Sequence, residues 1–199
     1  MHSNKKLCAC MQSMEPPFKV ARYKRVKRTD DLQKYKGWAA SIKIDGWQAI
    51  WHAGKLYTKS FKATFDLPDR WKRALKAMGS GFAGELVIPG RPSGSVRSLL
   101  RKSGPWHRAK FVIFDCVNYR MRGKTLKRRM ACVHESVEKA CAIWGDGSCP
   151  ITAAKNVRVR SPHHIQVMLN RIKRAGGEGL VISHPDDKYG GPRRIKIRL

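Results

Sequence analysis

Ser41-Ile42-Lys43-Ile44-Asp45-Gly46 sets a lysine between two isoleucines, just ahead of an Asp-Gly turn. Taken alone, Lys-x-Asp-Gly reads as a strand closing into a turn, because Asp and Gly supply the turn conformations. Working outward, four further stretches follow in order: Gly84-Glu85-Leu86-Val87, Phe111-Val112-Ile113-Phe114-Asp115, Glu178-Gly179-Leu180-Val181-Ile182 and Ile195-Lys196-Ile197-Arg198. Each joins a short apolar run of strand character to a charged or aromatic residue. Read singly, Phe114 is a core residue, Glu85 and Glu178 are strand-end carboxylates, and Lys196 is one more solvated base.

The intervening chain supplies more strands and several helices. Trp38 to Asp45 reads as a strand that presents Lys43, and Trp47–Trp51 and Lys55–Lys59 as a hairpin turning at Ala53-Gly54. Pro68 to Met78 has helical spacing, with Trp71, Leu75 and Met78 on one face. Phe82 to Ile88 and Lys110 to Val117 read as buried strands, and Ser93 to Lys102 as a loop running into a short basic helix from Val96. A helix carrying Met130, Val133, Val137, Ala140 and Cys141 runs to Trp144. Asn156 to Arg160 forms a short strand. Ser161 then caps a helix facing the core through Ile165, Met168, Leu169 and Ile172. Strands at Leu180–Ser183 and Arg194–Leu199 complete the series. The class is α+β, two antiparallel-rich sheets flanked by helices.

Charge is the anomaly. The chain has 199 residues, with 42 Lys+Arg against 14 Asp+Glu, a net +28. Such an excess repels itself unless a polyanion neutralises it, and nucleic acid is the natural partner. The chain has no apolar run of membrane-spanning length and no signal-peptide stretch between Met1 and Pro17, so no membrane partner and an intracellular location are expected. Cys8, Cys10, Cys116, Cys132, Cys141 and Cys149 lack zinc-ligand spacing and are expected as reduced thiols. The organisation expected is a polar arm over residues 1–17 and one domain over 18–199, opened by the basic strip Phe18 to Arg28.

A lysine amine can attack the α-phosphate of a nucleotide and form a phosphoramidate, splitting one hard step into two. With a free pKa of about 10.4, only about one lysine in a few thousand is neutral at pH 7, so nearby cations must lower the value.

The five stretches together resemble the nucleotidyltransferase motif series of ATP-dependent DNA ligases, a superfamily shared with RNA ligases and capping enzymes. The small bacterial and viral ligases are the nearest in pattern, supported by Leu56-Tyr57-Thr58-Lys59-Ser60 and the basic segment from Gly94 to Lys102. The resemblance implies ATP and Mg2+ as cofactors and nicked double-stranded DNA as partner. It implies Lys43 as the adenylated nucleophile and Asp45 as an acid needed in later steps. Glu85 is implied as a ribose or metal contact, Glu178 as a metal contact and Phe114 as the platform for adenine. Lys196 and Arg198 are implied as the grip on the α-phosphate, and Ile42 and Lys59 as further nucleotide contacts.

This sequence departs from that pattern in three places. Gln48 and Lys59 stand where arginines are usual, and Ala83-Gly84-Glu85 stands where Asp-Gly-Glu is usual. Lysine keeps the charge but loses the bidentate fork, and Gln48 loses both. The pattern also places an OB-fold domain after the last motif. None is expected here, so a protein partner in its place is an expectation. The alternatives are RNA joining or cap guanylylation, and a non-catalytic DNA-binding protein on a ligase-like scaffold.

Overall fold

Residues 23–27, 31–101 and 104–199 are described by the structure, a computed structural model. The expected arm of residues 1–17 and the ends of the basic strip lie outside the described residues. In chain order the strands begin with β1 (Lys24–Val26), β2 (Ala39–Ile42), β3 (Trp47–His52), β4 (Lys55–Thr58) and β5 (Thr64–Phe65). Helix α1 (Asp69–Ala77), β6 (Phe82–Val87), α2 (Ser93–Arg101), β7 (Lys110–Cys116), α3 (Tyr119–Arg122) and α4 (Leu126–Trp144) follow. The series closes with β8 (Ile151–Ala153), β9 (Val157–Arg158), α5 (Pro162–Arg174), β10 (Gly179–Ser183) and β11 (Arg194–Arg198).

The helix boundaries have local causes. Thr125 caps α4, its side chain accepting from the Arg128 amide, and Gly145 ends it with φ of 89°. Ser161 caps α5 by accepting from the His164 amide at 3.1 Å, and Pro162 occupies the first turn. Helix α2 starts at Ser93, three residues before the expected Val96. The Ser95 hydroxyl bonds the Pro92 carbonyl at 2.9 Å, so Gly94 and Ser95 are wound into the first turn and not left as loop.

The strands form two sheets, one in the order β1-β11-β10-β2-β9 and the other β5-β4-β3-β6-β7-β8. Pairing is antiparallel except for β1 with β11 and β7 with β8. The first sheet covers α5. Its alternating Ile195 and Ile197, with Leu180 and Ile182, bury against Ile165 and Leu169. The second sheet is covered on its outer face by α1, α2 and α4 through Trp71, Leu75, Leu100, Met130 and Val133. A third, small cluster of Ile50, Ala83 and Val117, with Phe61, Phe114 and Tyr189 against it, sits apart from both cores.

Candidate active site

Alternation decides what faces inward between the sheets. In Arg194-Ile195-Lys196-Ile197-Arg198 the two isoleucines go to the α5 core, which leaves Arg194, Lys196 and Arg198 on the opposite face. That face is one wall of a cleft of about 240 Å³. In register with it on β10 and β2 stand Val181 opposite Lys196, Ser183 opposite Arg194, and Ser41 opposite Val181. The second sheet contributes Gln48, Lys59, Glu85 and Phe114 to the same cleft. Of the residues expected at the site, Ile42, Lys43, Lys59, Glu85, Phe114, Lys196 and Arg198 all line it. Ile42 is the outlier in exposure, a large apolar side chain 58% exposed at the strand end.

Lys43 is set where β2 runs out. Its backbone amide donates to the Gly179 carbonyl at 2.8 Å, which brings it beside Glu178, and Nζ forms an ion pair with Glu178 Oε2. Gly179 has φ of +142° and a Cβ there would run into the Ile197 carbonyl, so this crossing of three strands requires glycine. Gly46 has a different reason. A Cβ on it would lie 2.6 Å from Val87 Cγ1 and 2.7 Å from Glu85 Cγ, so the turn after Asp45 packs directly on β6. Asp45 is not among the residues lining the cleft, but its charge acts on Lys43 and Glu85.

Burial, then the Arg198 and Lys196 cations, hold the Lys43 ammonium below its usual pKa, with Glu85 and Asp45 opposing. The Glu178 ion pair also favours the ammonium, so a neutral amine requires that pair to open. Burial drives the Glu85 carboxyl up to about 7, against the pull of Lys43 and Lys59. Among the described residues no group of three or more His, Cys, Asp and Glu is placed to hold a metal ion by itself. Glu178, paired with Lys43, and Glu85, in the cleft wall, fit magnesium differently: one or two carboxylates, with nucleotide phosphate oxygens as the other ligands.

Phe114 faces the cleft by alternation, since Phe111 and Ile113 go to the outer core, and a break in the β6–β7 ladder sets Asp115 on the same side. Ala83 pairs with Asp115 and Gly84 with Ile113, so Phe114 is the extra residue of a β-bulge. A bulge re-aims side chains, and here it delivers Asp115 to the inter-sheet side beside Phe114. Asp115, fully buried, pairs with Arg129 of α4 at 2.6 Å and with Arg194 of β11 at 3.0 Å. Arg129 also donates to the carbonyls of Lys124 at 2.7 Å and Asp187 at 2.9 Å. The sequence showed no sign of this Asp-Arg-Arg cluster or of Tyr23 and Asn156 in the cleft wall. In a chain this basic, charge type alone does not mark which arginines are buried, and only the apolar company of Asp115 in β7 hinted at it.

A cleft between two antiparallel-rich sheets thus gathers a lysine, further cations and carboxylates. The chain has the fold of the adenylation domains of ATP-dependent DNA ligases. A Lig E DNA ligase structure superposes with a TM-score of 0.72 at 19% identity, over 90% of this chain and 68% of that one. Chlorella virus DNA ligase-adenylate gives 0.67 at 18%, over 90% and 67%. The ATP-dependent DNA ligase of bacteriophage T7, in complex with ATP, gives 0.66 at 16%, over 90% and 68%. No protein-family model matches the chain, and no curated protein matches it.

Proposed function

We propose that this protein is an ATP-dependent polynucleotide ligase that adenylates itself on Lys43 and then transfers AMP to a 5′-phosphate at a DNA break. The observation that carries the reading is the Lys43–Glu178 ion pair at the mouth of a cleft whose walls hold Glu85, Phe114, Lys196 and Arg198. The similar structures include a ligase-adenylate and a ligase with ATP, which agree with that chemistry.

In the free site Glu178 keeps Lys43 protonated. Glu178 and Glu85 would hold magnesium beside the nucleotide phosphates, where the ion would supply charge neutralisation. Lys43 then gives its proton to solvent, under the same burial and cationic pressure that already lowers its pKa. Its Nζ attacks the α-phosphorus, forming a P–N bond as the bond to the pyrophosphate oxygen breaks. Lys196 and Arg198 hold the non-bridging oxygens, where charge develops. Phe114 stacks the adenine, and Val181 on the other sheet offers it an apolar surface. In the second step a 5′-phosphate oxygen displaces Lys43 from AMP, and a 3′-hydroxyl then displaces AMP to form the phosphodiester. Asp45 serves these later steps from outside the cleft wall. Lys59 contacts phosphate as a point charge, without the fork of an arginine.

The test is covalent labelling with α-labelled ATP and magnesium, beside Lys43→Ala, followed by sealing of a nicked duplex. Acid-labile label on the wild type alone is expected. A chain that takes no label from ATP or GTP, but binds duplex, would sink this reading. It would favour the second one, a DNA-binding protein on the same scaffold, which the net charge of +28 supports.

A further inference from the structure

Two thiols on the α4–β7 seam lie against each other. Cys132 Sγ donates to Cys116 Sγ at 3.3 Å across a separation of 16 residues. The Asn118 side-chain amide donates to the same Cys116 sulfur at 3.4 Å. Cys116 is buried and Cys132 partly open. The pair sits beside the ionic cluster: Cys116 follows Asp115 on β7, and Cys132 stands one helical turn beyond Arg129 on α4. The same two elements are therefore tied by an ion pair and, one step along, by a sulfur–sulfur contact.

We infer that Cys116 and Cys132 form a redox-modifiable pair, closed to a disulfide by a small-molecule disulfide such as oxidised glutathione. A bonded pair needs the sulfurs about 2.05 Å apart, so they approach by little more than 1 Å, within reach of a side-chain rotation. Cys132, the accessible thiol, gives its proton to solvent and attacks one glutathione sulfur, releasing the other as a thiolate. Cys116 then gives up its proton and attacks Cys132 Sγ, closing the S–S bond and releasing the second glutathione. Two protein thiols are oxidised, and the two electrons leave as two glutathione thiols. Burial raises the Cys116 thiol well above its usual pKa, so closure is slow at neutral pH and faster in mild alkali.

Cys141 and Cys149 are a second pair, also hydrogen-bonded to each other, and so a competitor for oxidation. Each donates to the Ile151 carbonyl, at 3.5 and 3.6 Å, and both are partly open.

The experiment uses the reduced full chain, incubated with oxidised glutathione in mild alkali, quenched with a maleimide, digested without reduction and mapped by mass spectrometry. The expected product is a joined peptide pair carrying Cys116 and Cys132, lighter by two hydrogens. Cross-linking a loop of this size is expected to raise Tm by roughly 5–10 °C, reversed by dithiothreitol and absent in Cys132→Ser. Cys116 and Cys132 recovered as maleimide adducts or as separate glutathione adducts would overturn the inference. So would a linkage confined to Cys141 with Cys149, or to Cys8 with Cys10, or an equal Tm rise in Cys132→Ser. None of these outcomes depends on whether Lys43 takes AMP.

Discussion

Burial in the cleft wall shifts the ionisation of Glu85. Its folded pKa of about 7 lies above the ordinary carboxylate value of 4.5, so the folded chain holds a proton that the unfolded chain releases between those values. Stability is then fully present below pH 4.5 and declines as pH rises through about 7. Replacing Glu85 by Gln removes that decline. The gain at pH 8 is expected to be at most about 3 kcal/mol and close to zero at pH 4, read by urea unfolding at both pH values. A variant whose pH dependence matches the wild type would mean Glu85 ionises freely. Lys43 was legible from its motif, because a lysine ahead of Asp-Gly is a linear pattern. Glu178 as its ion-pair partner was not, since |i−j| is 135 and only the packing of β2 on β10 unites them.

Individual elements carry the next set of consequences. The turn after Asp45 rests on β6 with no room for a methyl group at Gly46, so Gly46→Ala must displace the β6 backbone at Leu86 together with Glu85 and Val87. A loss of about 2–4 kcal/mol is expected in denaturant melts, with self-labelling reduced because Glu85 moves. The long strands and α4 and α5 were visible as hydrophobic periods. Strands β5, β8 and β9 have only two or three residues, too few for a period to establish itself, and β5 and β8 went unseen. The bulge at Phe114 was also hidden. Phe111-Val112-Ile113-Phe114-Asp115 looks like a regular buried strand, and the extra residue shows only against the register of β6. A sequence reader therefore finds Phe114 but misses that Asp115 shares its face.

Across the whole molecule, one buried carboxylate joins three elements. Asp115 binds α4 through Arg129 and β11 through Arg194, with Asp115 and Arg129 wholly buried. Asp115→Ala strands two guanidinium groups away from water and is expected to destabilise the fold by about 3–5 kcal/mol. Combining it with Arg194→Met should recover part of that loss, and strict additivity in the double-mutant cycle would show that the two side chains do not interact. The positive surface acts at longer range. With a net +28, duplex binding should weaken about 10³-fold or more between 50 and 200 mM salt, measured by fluorescence anisotropy. A salt-independent Kd would exclude phosphate contacts as the main source of affinity.

The parallel pairing of β1 with β11 imposes an order on biosynthesis. The sheet of β3 to β8 draws on one unbroken segment, residues 47–153, and can assemble while translation continues. The other sheet cannot: β1 and β2 emerge early and must wait for β9, β10 and β11 to find their partners. Until residues 194–198 have left the ribosome tunnel, the sheet that carries Lys43 lacks its cationic strand, and a nascent chain has half a cleft with two unsatisfied strand edges. Those edges are where a chaperone would bind during synthesis, and where a stalled or truncated chain would begin to aggregate.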